Sequence, residues 1–225
     1  MDENSKQSFV LNGALTSLKG SASIHLPPNA CKALEQLGIL SIAEQLGFQL
    51  EDITLLSYAD GSTLRSMKLL PEMLDKYKKP YIATHRATFH EALVKAAESQ
   101  GVQIEMGSIV SSIDFKAPSV HLQDGRVFTG DLVLGSDGAV SQTRSLLSGR
   151  PHLPHHFGHM LFSCEIPQEA LRGQDDLRDL VDSPGVPYWL GPGTLCLANG
   201  IRENDSFNLL GGIAEPLTTK LQTHP

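Results

Sequence analysis

Apolar and polar positions along the chain alternate in short stretches, most of them ended by a glycine or proline. Ala30, Ala33, Leu34 and Leu37 recur at i, i+3, i+4 and i+7, the spacing of one helical face. Pro28 suits a first helical turn and Gly38 a helix end, so a helix is predicted over about 28–37. Ser41 and Glu44 have the spacing of a capping box and predict a short second helix. Ile53 to Tyr58, Asp60-Gly61 and the run from Thr63 predict a β-hairpin, Asp-Gly being a favoured hairpin turn.

Tyr81-Ile82-Ala83 reads as a strand running into a helix over about 86–99, with Phe89, Ala92, Leu93, Ala96 and Ala97 on its apolar face and Gly101 as its stop. Val102 and Ile104 alternate as a strand does, and Asp124-Gly125 marks a second hairpin. Leu132-Val133-Leu134 is a compact apolar run, the pattern of a strand buried on both faces in a parallel sheet. It passes through Gly135-Ser136-Asp137-Gly138 into a helical stretch near 141–147. Residues 1–20 show no sustained periodicity and are expected to be poorly ordered. The fold class expected is α/β, mixed with α+β character. An α/β domain spans 21–150, with its hairpin near 50–70 belonging to the sheet of the second part. A β-rich domain spans 151–225, with a turn at Trp189–Gly193 and a strand at Phe207–Leu210.

Composition narrows the function more than the fold. The chain has 225 residues, 40% apolar and 19% charged, with 20 Gly and 13 Pro, which excludes collagen, coiled coil and general disorder. Surface scaling lets a chain of this size bury roughly 70% of its extended surface. With 18 basic against 25 acidic residues the net charge is −7, which speaks against nucleic acid or an anionic membrane as partner. The longest apolar run is Leu195 to Ala198, far below the ~20 residues of a membrane span. The polar start leads to no secretory signal, and Cys31, Cys164 and Cys196 lie far apart. Buried structural thiols in a cytoplasmic protein are therefore expected.

Three segments carry candidate chemistry. Asp137, in Gly135-Ser136-Asp137-Gly138, would sit at the carboxyl end of a parallel strand, where open α/β sheets bind ligands. Its carboxylate would accept ribose or ribityl hydroxyls; the alternative is an ordinary strand-to-helix turn. Arg86, in Thr84-His85-Arg86-Ala87-Thr88-Phe89-His90-Glu91, would sit at or just before a helix start. A cation is disfavoured there unless a bound phosphate draws it and the helix N–H groups together. The alternatives are an exposed loop Arg, or a capping box from Thr88 to Glu91 that leaves Arg86 outside the helix. His152, His155, His156 and His159 place four imidazoles in eight residues. Pro154 and Gly158 make that segment a loop, so an exposed connection is expected and no metal site. No nucleophile elbow and no phosphate-binding Gly-x-x-x-x-Gly-Lys loop occurs, which argues against a hydrolase or nucleoside triphosphatase.

Taken in order, four stretches resemble the FAD-dependent aromatic-hydroxylase type of flavoprotein monooxygenase, in particular its salicylate-hydroxylase-like branch of fungal secondary metabolism. They are Ser23–Ala30 with Leu34 and Leu37-Gly38; Thr84–Leu93; Asp131–Gly138 with Arg144; and Trp189–Gly193 with Arg202 and Asn208. The resemblance covers about 21–215. It implies FAD held by the α/β part, reduction by NAD(P)H, and a small aromatic, polyketide or terpenoid substrate under the β part, hydroxylated or epoxidised. It also implies that Arg86 contacts FAD, that Asp137 lies near the pyrophosphate, and that the backbone at Ala22 approaches the flavin. No catalytic side chain is assigned. Residues 1–20 lack the family's Gly-x-Gly-x-x-Gly turn, and its later Gly-Asp motif, expected after 215, is not found before Pro225. Ser163 stands where many relatives carry Arg, Asn199-Gly200 stands for a Tyr-Pro pair, and Ser21 and Ser23 stand for glycines. The chain is thus expected to be the middle of a longer design, marginally stable, with an exposed apolar edge near 132–134. The alternative function is a non-catalytic remnant that binds a metabolite or a full-length partner; a homo-oligomer is the other protein partner expected.

Overall fold

The structure, a computed structural model, describes residues 9–12, 23–155, 158–201 and 205–214. The first half runs β1 (Phe9–Asn12), β2 (Ser23–Leu26), α1 (Pro28–Gln36), α2 (Leu40–Leu46), β3 (Phe48–Gln49), β4 (Asp52–Ser57), β5 (Thr63–Lys68), α3 (Glu72–Tyr77), β6 (Ile82–His85) and α4 (Arg86–Ser99). The second half continues with β7 (Gln103–Met106), β8 (Val110–Asp114), β9 (Ser119–Leu122), β10 (Val127–Thr129), α5 (Gln142–Ser148), β11 (His159–Pro167), α6 (Gln168–Arg172), α7 (Asp175–Asp182), β12 (Val186–Gly191), β13 (Thr194–Ile201) and β14 (Ser206–Ala214). This is the mixed α/β class expected. The chain forms two compact units, Met1–Ser17 with Lys95–Phe157, and Leu18–Val94 with Gly158–Pro225.

The larger unit contains a six-stranded mixed sheet in the order β11-β14-β13-β12-β4-β5. The β4–β5 hairpin enters it through a parallel pairing of β4 with β12. A second sheet runs β2-β6-β3, antiparallel throughout. Helices α1, α2 and α4 bury their apolar stripes on this second sheet, where Cys31, Ala43 and Phe89 join Leu26 and Ile82 in one core. A second core unites Leu50, Leu69 and Ala83 with Val186 and Leu197 of the large sheet. The opposite face of the large sheet is covered by α6 and α7 through Val181, Ala198 and Phe207. Gly47 ends α2 where no side chain fits: a Cβ there would lie 2.4 Å from Ile82 Cγ2 and 2.6 Å from the Ala83 carbonyl oxygen.

The smaller unit pairs β1 with β7 in parallel and stacks β8, β9 and β10 as an antiparallel meander. Its buried apolar side chains are few, Val120 and Leu122 among them. Leu132-Val133-Leu134 is not the buried strand expected. The segment is irregular, and Leu132 and Leu134 are 73% and 81% exposed. A strand needs a ladder partner on at least one edge, and among the described residues none runs beside this one.

Three smaller expectations are also corrected. Helix α2 starts at Leu40 without a side-chain cap, so Ser41 lies inside it and no capping box forms. Cys31 is buried, but Cys164 is exposed and Cys196 half-buried, so the thiols are not uniformly structural. Thr88 lies inside α4, and Arg86 is the first residue of that helix. No helix among the described residues is long and apolar enough to cross a membrane.

Candidate functional site

Strand β6 delivers its last residue, His85, directly to the start of α4 without an intervening loop. Arg86 therefore occupies the first helical position. It is exposed, and the first turn of this 14-residue helix contains no acidic side chain. Among the described residues no carboxylate engages its guanidinium. A cation at the positive end of a helix dipole is locally unfavourable; an anion placed between it and the first-turn N–H groups that His85 leaves free reverses that balance. The donor set at this end of α4 thus suits a phosphate or pyrophosphate. The turn is ordered by His85, whose Nδ1 accepts a hydrogen bond from the Thr88 hydroxyl at 3.1 Å and from the Thr88 backbone N–H at 3.4 Å.

A polar layer lies beside this helix start, between the two sheets of the larger unit. Ser23 of β2 stands directly opposite His85 of β6. On the large sheet, Glu165, Asn208 and Asn199 are lateral neighbours on β11, β14 and β13, so their side chains share one face. Two contacts join the sheets: Asn199 Nδ2 donates to Ser23 Oγ at 3.0 Å, and His85 Nε2 lies 3.6 Å from Glu165 Oε2. Ser163, two residues before Glu165, donates to Asn208 Oδ1 at 3.2 Å.

Asn199 and Asn208 are 1% and 3% exposed, and Asn199 Oδ1 accepts no hydrogen bond. The imidazole of His25 lies against Asn199; burial lowers its pKa and the amide draws it partly back. From this layer the same face continues through Leu197, Leu210 and Tyr188, which pack with Leu50, Leu69 and Ala83 in the core between the two sheets.

In the smaller unit, Asp137 stands at the mouth of a cleft of about 470 Å³ lined by Phe115, Leu132, Val133, Arg144 and Leu147 among others. Its carboxylate is turned onto the start of α5: Ser141 Oγ donates to Oδ1 at 2.5 Å, and the Thr143 N–H and hydroxyl donate to Oδ2 at 2.9 and 3.1 Å. Ser141 in turn caps α5 by accepting the Arg144 N–H at 3.0 Å. The hydrogen bonds from Ser141 and the Thr143 backbone hold the Asp137 carboxyl at a pKa of about 2. Among the described residues no strand leads into Asp137, so it does not stand at a strand end as expected; its carboxylate stabilises the start of α5 instead. Ala22 lies outside the described residues, as do Arg202 and His156. Neither His85 nor Glu165 carries a motif in the sequence that marks it as part of a site. The one available signal was the position of His85 as the last strand residue before a helix, where capping side chains act.

No protein-family model matches the chain. The 3-hydroxybenzoate 6-hydroxylase 1 of Aquipseudomonas alcaligenes is 28% identical over 218 residues, 93% of this chain and 53% of that enzyme. The FAD-dependent monooxygenase OpS4 of Beauveria bassiana is 30% identical over 195 residues, 84% of this chain and 45% of that protein. Among solved structures, Klebsiella pneumoniae HpxO complexed with FAD and uric acid superposes with a TM-score of 0.78 at 17% identity, covering 98% of this chain and 59% of that one. CtdE in complex with FAD and a substrate gives 0.79 at 16% identity, covering 93% and 52%. The chain is related in sequence and fold to the aromatic-hydroxylase type of FAD-dependent flavoprotein monooxygenase. It spans about half the length of the curated relatives it matches.

Proposed function

We propose that this chain belongs to an FAD-dependent monooxygenase that hydroxylates or epoxidises a small aromatic, polyketide or terpenoid intermediate of secondary metabolism, in the cytoplasm, with NAD(P)H as reductant. The observation that carries this reading is Arg86 at the head of α4, exposed and free of an acidic neighbour in its turn. There the guanidinium and the helix N–H groups would hold the pyrophosphate of FAD. When bound, FAD supplies the activation of oxygen that no protein side chain provides.

The chain's own contributions are binding and exclusion of water. Ser163, exposed on β11 and bonded to Asn208, would meet the polar groups of the substrate. Asp137 holds the start of α5, and the backbone at Ala22 would approach the flavin.

The test is a titration of the purified chain with FAD, followed by flavin fluorescence, and NADPH oxidation with a panel of hydroxybenzoates and polyketide phenols. Retained yellow flavin with substrate-stimulated NADPH oxidation is the expected outcome; a chain that stays colourless and retains no added FAD overturns it. A second reading, a non-catalytic chain that binds a metabolite or a full-length partner, draws on the exposed Leu132, Leu134 and Leu147. FAD-dependent NADPH oxidation by this chain alone counts against it.

A further inference from the structure

Four side chains of the polar layer are joined in pairs that cross from one sheet to the other. Ser23 and His85 are opposed on the small sheet, and their respective partners across the layer, Asn199 and Glu165, flank Asn208 on the large one. His85 also touches α4. The Thr88 backbone N–H donates to His85 Nδ1 at 3.4 Å, and the Thr88 hydroxyl lies 3.1 Å from the same nitrogen. That nitrogen must then present its lone pair, and a neutral ring carries its single hydrogen on Nε2. Nε2 faces Glu165 Oε2 at 3.6 Å, too long for a direct hydrogen bond. It is close enough for the carboxylate to favour the Nε2–H tautomer electrostatically. The pair is half-sheltered, with side-chain exposures of 13% and 19%. A residue that would otherwise be an ordinary strand end is therefore held from both sides, by the helix it caps and by the strand it faces.

We infer that His85 is a positioning residue for FAD: it fixes the first turn of α4, and hence the aim of Arg86, against β11 of the large sheet. This rests on the reading of Arg86 as an FAD ligand. The chemistry is one of orientation, with no proton transferred. Glu165 selects the tautomer, the tautomer leaves Nδ1 as acceptor, and the acceptor orders the turn whose N–H groups and guanidinium converge on the pyrophosphate.

The experiment compares the full chain with His85→Ala, His85→Asn and Glu165→Leu. Flavin fluorescence gives the dissociation constant for FAD. The ¹⁵N shifts of the His85 ring are read without flavin, and far-ultraviolet circular dichroism shows whether each variant folds. Three results are expected. His85→Ala weakens FAD binding about tenfold, the scale of a lost helix cap. His85→Asn, which restores a capping acceptor, recovers it to within about threefold. The native ring shows an unprotonated Nδ1, and Glu165→Leu moves the ring toward mixed tautomers.

Failure to bind FAD in the native chain overturns the proposed function, and this inference with it. Native binding with an unaffected His85→Ala, or a hydrogen found on Nδ1 of the native ring, overturns this inference alone. Should His85→Ala not fold, a His85→Asn variant that folds but binds FAD no better than about tenfold below native overturns it equally.

Discussion

Asn199 and Ser23 are 176 residues apart in the chain and 3.0 Å apart in the structure. The amide also donates to the Gly200 carbonyl at 3.0 Å, so both of its N–H hydrogens are used at a position 1% exposed. Asn199→Ala takes this donor away from the Ser23 hydroxyl and the Gly200 carbonyl and opens a small void. The expected cost is about 1–3 kcal/mol, measured as a lower denaturant midpoint at unchanged slope. Asn199→Asp keeps the shape but also loses both N–H donors, and it sets a buried carboxylate against the Gly200 carbonyl, so a cost of at least the same size is expected.

His25, beside that amide, gives a pH dependence of definite sign. Burial lowers its folded-state pKa, and contact with Asn199 only partly offsets this. The neutral ring is thus the native form, and unfolding takes up a proton. The stabilisation is complete above the unfolded value of about 6.5 and is lost as pH falls from there through the lowered folded value. Unfolding curves taken on either side of pH 6.5 should show the native chain losing stability on acidification faster than His25→Asn; equal slopes would remove His25 as the cause.

Asp137 makes the same kind of contribution in a more acidic window. Its carboxyl is held at about 2 by Ser141 and Thr143, against about 3.9 in an unfolded chain. The hydrogen bonds therefore contribute fully above about pH 4 and are lost between there and about pH 2. Asp137→Asn keeps part of the capping geometry without the charge. It should destabilise the protein by about 1 kcal/mol near neutrality, an effect that shrinks as pH falls toward 2. A constant difference across that range would show that the carboxylate charge is irrelevant.

These sites separate what a linear sequence can disclose from what it cannot. Periodicity and stop residues place α1, α4 and the β4–β5 hairpin within a few residues, because each depends on local spacing and a local turn. The helix start at Arg86 is legible for the same reason. The segment 132–134 is not, because an apolar triplet becomes a buried strand only where another strand takes up its backbone groups. Asp137 was found, but the direction of its carboxylate depends on Ser141 and Thr143 reaching back from α5. The pairs Ser23–Asn199 and His85–Glu165 form only when two sheets face each other, and neither partner carries a local signal of the other.

The exposed triplet is itself testable. Leu134 is 81% exposed, so Leu134→Gln should change stability by no more than about 0.5 kcal/mol, as an ordinary surface substitution does. It should also lower the binding of an exposed-hydrophobe dye. A loss of about 3 kcal/mol would instead mark the position as buried core.

Gly47 carries the opposite expectation. A methyl group there would stand 2.4 Å from Ile82 Cγ2, 2.6 Å from the Ala83 carbonyl and 3.0 Å from the Ala43 carbonyl. Two of these three neighbours are backbone and cannot turn aside, and Ile82 is 1% exposed within the core under α1 and α2. Gly47 has φ −104°, so alanine meets no dihedral penalty and the whole cost is steric. Relief requires α2 to move off β6, which ends in His85 and leads directly into Arg86. Gly47→Ala should therefore cost about 1–3 kcal/mol, read as a fall in the thermal midpoint, and should weaken FAD binding alongside it. A stable variant with weakened FAD binding would show that α2 positions the start of α4; a destabilised variant with unchanged FAD affinity would confine the effect to packing.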